Sequence, residues 1–69
     1  MILPFHSSDL NLSQNQMARL PDELADLAYL ARLNISHNSF IALPQVVFKM
    51  PKLKELDASH NHIIGKLIK

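Results

Sequence analysis

Cysteine is absent from the chain. That absence excludes disulfide staples, thiolate zinc sites and cysteine nucleophiles, and it is compatible with a reducing compartment, so a soluble cytoplasmic protein is expected. Glycine occurs once, at Gly65, which leaves no glycine-rich loop to cradle a phosphate. Tryptophan is absent and aromatic residues make up 6% of the chain against 48% hydrophobic residues, so the core has to be assembled from aliphatic side chains in many small contacts. No stretch approaches the roughly 20 apolar residues of a membrane span. The apolar opening Met1-Ile2-Leu3-Pro4-Phe5 lacks a basic leader and is short for a signal-peptide core. Seven Lys and Arg against six Asp and Glu leave a net charge of +1. That is too little for the electrostatic footprint of a nucleic-acid binder, and neither nucleic acid nor membrane is expected as a partner. The 69 residues leave room for one small domain, which at this size buries only about 60% of the surface its unfolded form exposes.

Repetition is what the sequence does have. Leu10-Asn11-Leu12-Ser13-Gln14-Asn15 returns as Leu33-Asn34-Ile35-Ser36-His37-Asn38 and as Leu56-Asp57-Ala58-Ser59-His60-Asn61, each copy offset by 23 residues. An apolar residue follows each Asn two places on (Met17, Phe40, Ile63), and the first two copies continue into Leu20-Pro21 and Leu43-Pro44. In the third, Lys66 stands where Leu is expected. The alternation within each copy has the period of a strand with one buried face, predicting three short parallel strands. Between the first two, Pro21 suits a first helical turn, Asp22 and Glu23 favour a helix N-terminus, and Leu24, Leu27 and Leu30 recur every third residue. That spacing predicts a tight helical or 3-10 crossover. The second crossover, 44–54, carries Val47, Met50 and Leu53 at the same phase, but Pro51 removes a backbone donor and predicts a shorter, more irregular segment.

These copies resemble the leucine-rich repeat family in its 23-residue class, over residues 7–65, with departures at Ser7, Ala58 and beyond Ile64. The resemblance implies an α/β fold, a short right-handed β-α superhelical solenoid with about three parallel strands on its concave face. The expected organisation is a single domain over 1–69, with an N-terminal flank at 1–9, repeats at 10–32 and 33–55, and a partial repeat with the C-terminal flank at 56–69. A helical hairpin over 24–33 and 46–56 also accounts for the leucines, but not for the asparagines. In the solenoid Asn15, Asn38 and Asn61 point inward as a structural ladder, each amide satisfying backbone groups of its turn and of the next repeat.

The outward strand positions are the candidate binding surface. They form four rows: Asp9, Arg32 and Glu55; Asn11, Asn34 and Asp57; Ser13, Ser36 and Ser59; Gln14, His37 and His60. Such a face spans on the order of 250 Å², against about 800 Å² per partner in a standard interface. The family implies protein binding as a class, so the expectation is a protein partner met by several copies pooling their faces. The ends support self-association, with a two-fold dimer favoured. Met1, Ile2, Leu3 and Phe5 crowd one end and Ile63, Ile64, Leu67 and Ile68 the other, without a polar cap. Residues 1–44 sum to −2 and residues 45–69 to +3, which also allows head-to-tail contacts. The competing reading is a self-assembling or truncated repeat fragment with no separate ligand.

No enzyme, cofactor or metal site is expected. His37, His60 and His62 fall near one edge of the sheet and are the types that hold zinc or nickel, but a histidine in a turn after a strand is ordinarily a polar surface residue. Ser36, His37 and Asp57 have the types of a catalytic triad, but Ser36 and His37 are adjacent and point apart. Asn11-Leu12-Ser13 and Asn34-Ile35-Ser36 match the glycosylation pattern only as a by-product of the repeat.

Overall fold

The computed structural model describes residues 8–64. Three short strands, β1 (Asp9–Asn11), β2 (Arg32–Asn34) and β3 (Glu55–Asp57), form one parallel sheet in the order β1-β2-β3. The register repeats the sequence period: Leu10 lies opposite Leu33 and Leu33 opposite Leu56. Leu10, Leu33 and Leu56 thus stand side by side in extended chain, and the helical hairpin is excluded. Backbone bonding continues past the strands, with Leu12 N donating to Asn34 O at 2.7 Å and Ile35 N to Asp57 O at 2.8 Å.

Each crossover is a five-residue 3-10 helix, η1 (Asp22–Asp26) and η2 (Gln45–Lys49). These supply the helical half of the expected class, and no α-helix occurs among the described residues. Pro21 and Pro44 precede them in extended conformation, and their carbonyls accept from Leu24 N and Val47 N at 3.2 Å. The prediction that Pro51 shortens the second crossover is corrected. η2 matches η1 in length because it has ended at Lys49, and Pro51 opens the turn after Met50, where its missing N–H costs no helical bond.

The core lies between sheet and crossovers. Leu24, Leu27, Leu30, Leu33, Ile35, Phe40, Val46, Val47 and Met50 are buried, every one of them between residues 24 and 50. Leu10, Leu12, Met17 and Leu20 on one side and Leu53, Leu56, Ala58 and Ile63 on the other are half-buried against it. A middle copy has neighbours on both faces, whereas an outer copy has one among the described residues. Of the predicted end contacts, Ile63 packs partly against the core and Ile64 is 82% exposed; Met1, Ile2, Leu3, Phe5, Leu67 and Ile68 lie outside the described residues.

Candidate interaction surface

The outer face of the strands carries the first two predicted rows, and the turns that follow carry the other two. In the first, the Arg32 guanidinium is bracketed by two carboxylates, 3.3 Å from Asp9 Oδ1 and, through Nε, 3.3 Å from Glu55 Oε1. All three side chains are well exposed, so the pairs add little to stability and mainly fix the pattern of charge on the face.

The second and third rows are tied to one another. Asn11, Asn34 and Asp57 each accept, at Oδ1, the backbone N–H two residues on, from Ser13 (2.9 Å), Ser36 (2.9 Å) and Ser59 (3.1 Å). The Ser13 and Ser59 hydroxyls donate to the same oxygens at 2.6 and 2.7 Å. These are turns closed by a short polar side chain, which ends each strand at the same place. The Ser59 hydroxyl and then its amide hold the Asp57 carboxyl below its ordinary value of 3.8; desolvation opposes them, and the neighbouring His37 and His60 add a smaller lowering. Ser36 corrects the expected surface: flanked by copies on both sides, it is 5% exposed and unavailable to a partner. Ser13 and Asn34 are half-buried.

In the fourth row Gln14, His37 and His60 adopt left-handed backbone, with φ of 59°, 54° and 56°. This conformation is uncommon outside glycine, though histidine tolerates it better than most residues. It turns the chain sharply so that the next residue, the repeated Asn, enters the molecule. Asn38 is buried; its Nδ2 donates to Leu12 O, Ile35 O and Ser36 O at 2.9–3.0 Å while its Oδ1 accepts from Met17 N at 3.0 Å. Asn61 repeats the pattern one copy on, through Ile35 O, Ala58 O, Ser59 O and Phe40 N. Asn15 departs from the expected ladder: it bonds only its own turn, at Leu12 O and Ser13 O, and is exposed, since no described strand precedes it. No buried side-chain polar atom among the described residues lacks a partner.

The His37 and His60 rings stack, with centroids 4.2 Å apart and planes inclined by 10°. Stacked rings send their nitrogen lone pairs out in parallel planes, so the pair cannot converge on one cation. Among the described residues no group of three or more His, Asp or Glu side chains is placed to hold a metal. An open trough of about 300 Å³ crosses the face, lined by Asp9, Asn11, Arg32, Asn34, Glu55 and Asp57 with Leu10 and Leu33. The sequence reading missed the exposure of Ile41 (67%) and Phe48 (73%). Phe48 lies one place beyond Val47 in the inward phase, and that offset was the available signal.

The leucine rich repeat family profile matches residues 8–63. No curated protein and no solved structure matches the chain. The match covers most of the chain, and three parallel strands and three asparagine turns fall at its period; the chain belongs to the leucine-rich repeat family.

Proposed function

We propose that the protein is an interaction module of adaptor or inhibitor type that binds a protein partner through the strand face, the concave face of the family fold, with more than one copy contributing. Leucine-rich repeat domains generally mediate protein–protein interaction and are typically not enzymes. The observation that carries the reading is the strand face itself: a trough lined by a bracketed arginine and three carboxylates on the strands, beside a histidine stack on the turns that close them. Such a surface is pre-organised, so little ordering is lost on binding. Its small area supports the combination of copies, since one face falls short of a standard interface. The test is a pull-down from host extract with wild-type protein and with the R32E and H37N/H60N variants; the replaced side chains are exposed, and asparagine keeps the left-handed turn. Proteins captured by the wild type are expected to be lost from both variants. Capture of the same proteins in the same amounts by all three would end the strand-face reading.

A further inference from the structure

The two crossovers carry opposite charge. Asp22, Glu23 and Asp26 lie on η1, whereas Lys49 ends η2 and Lys52 and Lys54 follow it. All six are exposed, and the ion pairs between described residues, Arg32 with Asp9 and with Glu55, lie on the opposite face. Phe48, 73% exposed, stands on η2; one repeat back, at the same level of η1, is the small half-buried Ala25, followed by exposed Ala28. One crossover therefore presents an aromatic knob beside positive charge, and its neighbour presents alanines, followed by the exposed Tyr29, beside negative charge.

We propose that the face bearing η1 and η2 is the contact surface for a second copy of this chain, η1 of each copy lying over η2 of the other. A two-fold axis running between the crossovers, along their length, produces this arrangement. It sets Asp26 opposite the partner's Lys49 and Phe48 onto the partner's Ala25 and Ala28, and symmetry makes each contact twice. A two-fold axis across the crossovers would instead lay acid on acid. Two short crossovers cover less than the roughly 800 Å² per partner of a standard interface, so the dimer is weak and leans on its charges, which salt screens over about 10 Å at 0.1 M. The two strand faces then point away from one another, uncovered, so this dimer does not merge them into one surface; its copies contribute as two separate sites of one bivalent binder. The dimer stands or falls independently of strand-face recognition.

Sedimentation equilibrium across a concentration series, at low and high salt, tests this. The mass is expected to rise from 7.8 kDa toward twice that value as concentration increases at low salt, and to stay near 7.8 kDa at high salt. K49E/K52E/K54E and D22K/E23K/D26K should each remain monomeric at low salt, while their equimolar mixture regains the dimer. F48A should weaken the wild-type dimer about tenfold or more, and this single exposed change reads the same contact should a triple variant fail to fold. A wild-type monomer throughout the low-salt series overturns the proposal. So does undiminished dimerisation of F48A or of either folded reversed variant, or a mixture of the two folded variants that stays monomeric.

Discussion

Asn38 and Asn15 occupy equivalent positions in successive copies, and their surroundings make opposite predictions for the same substitution. Replacing Asn38 with alanine strips a donor from three carbonyls and leaves the Met17 N–H without its acceptor, in a part of the molecule with little water to replace them. The expected cost is about 1–3 kcal/mol for a stranded polar group. Asn15→Ala should cost only a few tenths of that, because water already reaches its bonds to Leu12 and Ser13. Urea unfolding of the two variants checks the contrast, and equal midpoints would refute it. Asp57 carries a prediction in pH. Its carboxyl is held below 3.8 in the folded protein, so it contributes stability above that value, and the contribution is lost as pH falls through the lowered folded value. Asp57→Asn keeps the Oδ1 acceptor that Asn11 and Asn34 use in the same turn, and removes the titration. The variant should therefore lose less stability than wild type on acidification below 3.8. Parallel acid unfolding curves for the two proteins would contradict this.

Among the elements, the strands were legible and the turns were not. A fixed offset of 23 residues dictates which strand residues stand opposite one another, so the register of Leu10, Leu33 and Leu56 follows from counting. The inward phase of Leu24, Leu27, Leu30, Val47 and Met50 was equally readable, as all five are buried. The left-handed turn at Gln14, His37 and His60 was hidden because no glycine marks it. Its signal was the repeated Asn/Asp-x-Ser before it, whose side-chain acceptor closes the turn. The burial of Ser36 was hidden for another reason: it depends on neighbours on both sides, which a single copy does not reveal. Pro51 shows a third kind of misreading, a true rule applied at the wrong boundary. Since it follows η2, Pro51→Ala releases no strain and only enlarges the freedom of the unfolded chain, at an expected cost of about 0.4–1 kcal/mol. A helix-breaking proline would give the reverse, a variant of higher midpoint and greater helical circular dichroism, so the sign alone decides.

At the scale of the molecule, the described residues form one well-buried repeat between two half-covered ones. All of the buried side chains among the described residues lie between residues 24 and 50, and the outer leucines are only half-covered. A chain of 69 residues has about 3–10 kcal/mol to lose. The three strand leucines measure how that quantity is distributed, because they share residue type, register and strand conformation and differ in how fully they are covered. Leu33, 2% exposed, should cost about 2–5 kcal/mol on replacement by alanine, enough to bring the protein near its unfolding midpoint. Leu10→Ala and Leu56→Ala remove a side chain that touches the core from one flank, and should cost distinctly less. The ranking, read from urea midpoints at a fixed protein concentration, tests whether stability is carried by the central repeat and passed to its neighbours through contacts. Equal losses at all three positions would mean that both ends are covered in solution as fully as the middle, and the one-repeat account of the core would have to be abandoned.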